Sequence, residues 1–202
     1  MSYKRPLDLT ILLAAHIVLA PIWLLLWLAI PLAIWLGDRG PVFYQQRRAG
    51  RGGDVFVVRK FRTMVVDADR IGPVWTNERD PRITAVGRVL RKTALDELPQ
   101  LLNIWRGEMS FVGPKPLAVE EQRQLEAQIP DFARRLQVRP GLTGMAQVYN
   151  VGDATDEKLR YDLEYAARMS LWLDISLVLL SIRNTLLGKW DTRGGKRDMN
   201  EG

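Results

Sequence analysis

The chain has 202 residues, a formal net charge of +6, no cysteine and a single histidine. Disulfides, thiolate metal sites, cysteine nucleophiles, histidine-based triads and multi-histidine metal sites are therefore excluded, and the absence of cysteine fits a reducing compartment. The positive balance points to anionic partners, whether nucleic acid, an acidic membrane surface or phosphorylated substrates, without choosing among them.

From Leu7 to Leu36 the sequence is apolar, with Asp8 its only formally charged residue and His16 inside it. A straight helix of that length would reach about 45 Å, well beyond the roughly 30 Å hydrocarbon core of a bilayer. Pro21 and Pro31 interrupt the run, and an interior proline removes a backbone hydrogen bond and kinks a helix. Both flanks are basic: Lys4 and Arg5 precede the run, while Arg39, Arg47, Arg48 and Arg51 follow it. Cations mark the cytoplasmic side of a membrane segment. The expectation is a re-entrant helix that bends at Pro21 and returns to the face it entered. A tilted single span is the alternative, and a cleaved signal peptide does not suit so long a run.

Residues 41–61 hold two strand-like runs around a Gly-rich basic turn, which predicts a β-hairpin. Residues 67–84, with Gly72, Pro73, Asp80 and Pro81, read as mostly loop with one helical turn. Short helices are predicted at 85–92 and 96–106, and a helix at 118–136 is interrupted by Pro130. RPGLTG, residues 139–144, reads as a loop. Helical periodicity returns over 156–187. Its apolar second half, LWLDISLVLLSI, is too short to span and suits either the core or a membrane interface with Trp172 at headgroup level.

RKTALDELPQLLN, residues 91–103, places Asp96 and Glu97 side by side. Pro99 suits the first turn of a helix, so the helix start falls near Asp96. A helix N-terminus and the nearby Arg91 and Lys92 would both favour ionised carboxylates. Such an aspartate could attack phosphorus or hold Mg²⁺ against substrate phosphates. Spacing alone leaves ordinary helix capping the simpler account. The surroundings supply phosphate-binding material. Lys60 and Arg62 follow the hairpin, Arg82 follows Asp80-Pro81, Arg88 and Arg91 share a helix face, and GPKP (113–116) and Arg139-Pro140-Gly141 each present a cation from a rigid loop.

In this context the residues resemble the monotopic phosphoglycosyl transferases, also called the bacterial sugar transferase family. The match runs over nearly the whole chain, through KRPLD, VFYQQRR, KFRTM, DPRIT, VGRVLRKTALDELPQLLNIWRGEMSFVGPKPL, VRPGLTG and YDLEYAARMSLWLDI. LDELPQ is highly specific in that setting. The larger members carry an extra N-terminal membrane bundle, and the expectation here is the minimal catalytic unit.

The resemblance implies transfer of a sugar 1-phosphate from a UDP-sugar to a polyprenyl phosphate such as undecaprenyl phosphate, with release of UMP. It also implies a covalent phosphosugar on the aspartate of the Asp-Glu dyad and a requirement for Mg²⁺. The implied place is the cytoplasmic face of a bacterial inner membrane, at the first membrane step of glycan biosynthesis. Carried onto this chain, Asp96 is the nucleophile and Glu97 its helper, through the metal or by accepting a proton. Asp96 and Glu97 are the metal-holding pair. Lys60, Arg62, Arg88 and Arg91 neutralise phosphate charge, while Lys115, Pro116 and Arg139 line the nucleotide or diphosphate site. Two departures stand out. Ala20-Pro21 replaces the family's frequent Ser-Pro, and GPKP replaces GPRP, giving a point charge in place of a fork.

The expected architecture is an α-dominated α+β chain. Residues 1–38 form the Pro-kinked re-entrant membrane helix, 39–187 a mostly helical catalytic domain with a small hairpin and amphipathic interfacial helices, and 188–202 a polar disordered tail. The alternative function is a non-catalytic membrane scaffold binding anionic lipid or pathway enzymes. Nucleic acid is not expected as a partner, since no binding module or interleaved aromatics accompany the cations. Homodimerisation is left open.

Overall fold

The structure is a computed structural model, and it describes residues 3–72, 80–149 and 154–187. The expected tail at 188–202 lies outside the described residues. The chain is mostly helical, with one antiparallel hairpin and one two-stranded parallel sheet among the described residues.

Two helices form the N-terminal segment, α1 (Lys4–Val18) and α2 (Ala20–Asp38), separated at Leu19, where the backbone leaves helical geometry at φ −105° and ψ 17°. Pro21 therefore sits in the first turn of α2, where its missing N–H leaves no bond unmade. The interruption falls two residues before the proline. His16 and Trp23 stack across it with ring centroids 5.0 Å apart, and Trp23 Nε1 donates to Ala15 O at 3.0 Å. Pro31 is inside α2 without ending it.

Both outer ends of this pair are tied to the same body. At the start of α1 the buried Lys4 Nζ donates to Val112 O (2.6 Å), Tyr165 Oη (2.6 Å) and Asp174 Oδ2 (2.8 Å). One turn on, Asp8 Oδ1 accepts from Ser110 Oγ at 2.8 Å and from the Phe111 amide at 3.1 Å. Leu12 then packs with Phe56, Val58, Ile104 and Met109. At the far end of α2, Ile30 and Ile34 pack on Phe61 and Leu90, and Asp38 pairs with Arg62. Between these anchors Leu13, Ile17, Val18, Leu24, Leu25 and Leu28 are exposed. Of the described helices, α2 is the one long and apolar enough to cross a membrane.

The hairpin pairs β1 (Phe43–Ala49) with β2 (Val55–Phe61), in register from Phe43 opposite Phe61 to Ala49 opposite Val55. A short helix, α3 (Ala68–Ile71), precedes α4 (Ala85–Thr93), whose Thr84 cap accepts from the Gly87 amide at 2.9 Å. Gly87 is required here: a Cβ would sit 1.9 Å from Thr63 O, so only glycine lets α4 lie against the chain leaving β2.

Three later expectations are corrected. The helix expected over 96–106 is a 3₁₀ turn, Leu95–Gln100, followed by α5 (Leu101–Arg106). RPGLTG is not all loop. Gly141–Thr143 forms β4, parallel to β3 (Ser110–Val112), and a Cβ on Gly141 would meet Gly113 N at 2.1 Å. The helix expected over 156–187 is two, α8 (Thr155–Arg168) and α9 (Leu171–Leu186), parted where Ser170 caps α9. Between β3 and β4 lie α6 (Val119–Gln128) and a 3₁₀ turn, Phe132–Gln137; α7 (Met145–Val148) follows β4. Within α9, Asp174 and Leu177 are buried while Leu171, Trp172, Leu179, Ile182 and Leu186 are exposed, so the helix has both a core face and an outward apolar face.

Candidate active site

Asp96 sits in the first turn of the 3₁₀ segment Leu95–Gln100, entered through Ala94 in the left-handed region (φ 56°, ψ 15°). No side chain caps this turn, so the capping account of the acidic pair is not what the geometry holds. The carboxylate is buried, at 9% exposure. Burial is the largest influence on it and raises its pKa to about 6, with Glu97 adding to the rise, while Lys60, Arg91 and Lys115 work the other way. The helix start and the nearby cations are expected to favour ionisation, and burial instead makes it harder than for a free aspartate. A 3₁₀ turn carries little of a helix dipole, and desolvation outweighs the cations.

Glu97 is partly buried and meets Lys60, whose Nζ donates to Glu97 Oε1 at 2.6 Å. Arg91 lies on α4 with Nε donating to Thr63 Oγ1 at 2.9 Å, an arrangement made possible by the close approach at Gly87. Burial lowers the Arg91 pKa, and Asp96 and Asp80 oppose that shift.

These side chains open on one cleft of about 1210 Å³. Its lining includes Asp96 and Glu97 together with Lys60, Arg62, Arg88, Arg91 and Lys115, seven of the nine residues expected at the site. Pro116 lines a small adjoining cavity beside Glu97 and Lys115, and its carbonyl accepts from Arg48 Nη1 at 2.9 Å. Arg139 lines neither cavity. Arg62 reaches the cleft while pairing with Asp38, and Arg88 Nη1 donates to Ile83 O at 3.2 Å.

The loop carrying Lys115 is held from behind. Buried Arg135 donates from Nη2 to Lys115 O at 2.8 Å, from Nε to Asp162 Oδ2 at 2.8 Å and from Nη1 to Gln122 Oε1 at 3.0 Å. Arg82 grips Asp80 with two bonds, Nε to Oδ1 at 2.9 Å and Nη2 to Oδ2 at 2.6 Å, and holds that carboxyl near pKa 2. The Asp80-Pro81-Arg82 stretch is thus a self-bound corner at the edge of the cleft, with Arg82 in its wall.

The sequence reading did not pick out Thr63, Tyr44, Thr143 or Gln147, all in the cleft wall. They are uncharged and isolated in sequence, and only the packing of β1, the residues after β2, β4 and α7 brings them into one cleft with the dyad. The cleft also has an apolar side, from Ile11 and Ala15 on α1 and Val178 and Ile182 on α9. Among the described residues no group of three or more His, Cys, Asp or Glu side chains could hold a metal ion. Any cation at the dyad would have at most two protein carboxylates.

A family model for the bacterial sugar transferases matches residues 1–188. The chain is 40% identical over 189 residues to a UDP-glucose:undecaprenyl-phosphate glucose-1-phosphate transferase of Caulobacter vibrioides, covering 91% of this chain and 69% of that protein. It is 39% identical to a UDP-N-acetylgalactosamine-undecaprenyl-phosphate N-acetylgalactosaminephosphotransferase of Aeromonas hydrophila, covering 92% of this chain but 44% of the relative. It is also 39% identical to the exopolysaccharide production protein ExoY of Sinorhizobium fredii, over 92% of this chain and 86% of the relative. The chain thus spans less than half of some relatives and most of others. With the match running through the dyad, the cationic cleft and both N-terminal helices, the chain belongs to the bacterial sugar transferase family, a family of phosphoglycosyl transferases.

Proposed function

We propose that this chain transfers a sugar 1-phosphate from a UDP-sugar to a polyprenyl phosphate at a membrane surface, with Asp96 as nucleophile. The observation that carries this reading is one cleft lined by a buried carboxylate, by the cations Lys60, Arg88, Arg91 and Lys115, and by apolar side chains of α1 and α9. The relatives named above for undecaprenyl-phosphate transfer support the substrate classes.

In the first step an Asp96 carboxylate oxygen attacks the phosphorus that bears the sugar. The bond from that phosphorus to the oxygen of UMP breaks, and UMP leaves with the electron pair. In the second step a phosphate oxygen of the polyprenyl phosphate attacks the same phosphorus and the Asp96 carboxylate departs. Positioning and charge neutralisation carry most of the catalysis in phosphoryl transfer. Arg91 and Lys115 face the reacting phosphates, and Arg88 lies further along the same wall. Lys60 is poised to exchange its Glu97 contact for a phosphate oxygen.

The donor set suits Mg²⁺, which binds through one or two carboxylates plus substrate phosphates and water. Asp96 and Glu97 would hold it, and when bound it would neutralise charge on the diphosphate. The neighbouring Glu97 disfavours ionisation of Asp96, which a cation would relieve.

The apolar wall gives the acceptor's isoprenoid stem a route from the bilayer. In this reading the exposed apolar bend of α1 and α2 is immersed in one leaflet and both outer ends remain with the catalytic body on the cytoplasmic side.

The decisive experiment measures UMP release from a panel of UDP-sugars with polyprenyl phosphate and Mg²⁺, for the native protein and Asp96→Asn. The native protein should release UMP and Asp96→Asn should lose at least about 10³-fold, since the nucleophile itself is gone. Mass spectrometry should find a phosphosugar adduct on the peptide containing Asp96. An inert native protein would support the scaffold alternative, and full activity in Asp96→Asn would remove the nucleophile assignment.

A further inference from the structure

Besides Nη1 of Arg62, whose other nitrogen pairs with Asp38, two polar atoms of cleft-lining residues have no hydrogen-bond partner among the described residues, Thr143 Oγ1 on β4 and Gln147 Oε1 on α7. Thr143 is 7% exposed. Buried polar groups in native proteins are nearly always paired, so an unpaired one in a cavity wall calls for a partner from outside the chain. These two are not loose. Gly113 N donates to Thr143 O at 2.9 Å, Val148 N donates to Gly144 O at 2.9 Å, and Asn184 Nδ2 on α9 donates to Val148 O at 2.8 Å.

The wall they occupy differs from the rest of the cleft. Thr143, Gln147 and Ser181, from β4, α7 and α9, present neutral polar groups, whereas α4 and the turn before it contribute the cations Arg82, Arg88 and Arg91. Leu142, next to Thr143 on β4, lines a small adjoining cavity together with Glu97, Lys60 and Lys115.

We infer that Thr143, Gln147 and Ser181 form the subsite for the donor's sugar ring, with Thr143 and Gln147 reading its hydroxyls. The inference rests on the sugar 1-phosphate transfer proposed above. A phosphate oxygen only accepts hydrogen bonds and is drawn to the cationic side. An isoprenoid chain neither donates nor accepts. A sugar hydroxyl does both, so it satisfies an unpaired amide oxygen and an unpaired hydroxyl alike. Attack on phosphorus places the leaving UMP roughly opposite Asp96. The nucleotide then runs along the cationic wall and leaves the neutral wall to the sugar. A site built to bond a hydroxyl discriminates strongly against a sugar that lacks it or presents it on the other face.

The test uses membrane-embedded protein in an Asp96→Asn background, which arrests transfer, with the UDP-hexoses and their N-acetyl forms as probes. Titration calorimetry gives the affinity for each, for UDP and for polyprenyl phosphate. Thr143→Val and Gln147→Met should each weaken the tightest UDP-sugar about 10-fold, the effect of one lost hydrogen bond, and leave UDP within twofold. Thr143→Ser, which keeps the hydroxyl, should retain the affinity. The unchanged UDP affinity shows that the variants are folded. Parallel losses for UDP and UDP-sugar, a UDP-sugar affinity that stays within twofold, or a loss confined to polyprenyl phosphate would each overturn the assignment. UMP release by the native protein tests the transferase reading separately.

Discussion

Asp96 is held where ionisation is costly. Its folded pKa of about 6 lies above the ordinary 3.8, so the folded protein binds the proton more tightly than the unfolded chain does. The cost of the ionised form is absent below about pH 4, grows as pH rises through about 6 and is complete above it. Asp96→Asn removes that cost. It should therefore raise stability at pH 7.5 by about 1–3 kcal/mol, with the advantage shrinking towards pH 4. Thermal unfolding of both proteins across that range is the measurement, and a variant no more stable at pH 7.5 contradicts it. The same proton governs activity. A nucleophilic carboxylate must be ionised, so kcat/KM for the UDP-sugar should fall by about tenfold per pH unit below an apparent value near 6 set by the Asp96–Glu97 pair. A profile flat down to pH 4.5 would rule this out. The identity of the pair was legible in LDELPQ. Its burial was not, because desolvation depends on what β2 and α4 bring over it.

The N-terminal helices show what local sequence does and does not reveal about an element. Proline at 21 predicted an interruption, and the backbone breaks at Leu19 because Pro21 is accommodated in the first turn of α2. The anchors could not be read in this way. Lys4 looked like a flank charge but is buried against Asp174 and Tyr165, 170 and 161 positions away in sequence. Removing one partner of a buried pair leaves the other uncompensated, so Lys4→Met should destabilise the protein by about 3–5 kcal/mol. The double variant Lys4→Met with Asp174→Leu should recover part of that loss. Chemical denaturation of the membrane-embedded protein measures both, and a neutral Lys4→Met would mean the clasp contributes nothing. β4 escaped the sequence reading for a related reason. Three residues carry no periodicity, and the strand exists through its pairing with β3, some thirty positions earlier.

On the scale of the molecule, both ends of the α1–α2 pair pack on one body and the apolar side chains between them are exposed, which the proposed re-entrant arrangement would place in the membrane. Single cysteines placed at Ser2 and Arg39 should therefore react with a membrane-impermeant thiol reagent from the same side of sealed vesicles. Labelling from opposite sides would restore the single-span alternative. Sequence by itself determined the apolar segment, the hairpin, the acidic pair and the chemical class of its neighbours, since these rest on composition, short-range periodicity and local turn chemistry. Only the tertiary structure decided which cations share the cleft with Asp96, that Arg139 lines neither cavity, that Arg62 is shared with Asp38, and that Thr143 and Gln147 are unpaired in the cleft lining. Those facts depend on contacts between residues far apart in sequence, and on desolvation, which exists only once the chain has closed around a group.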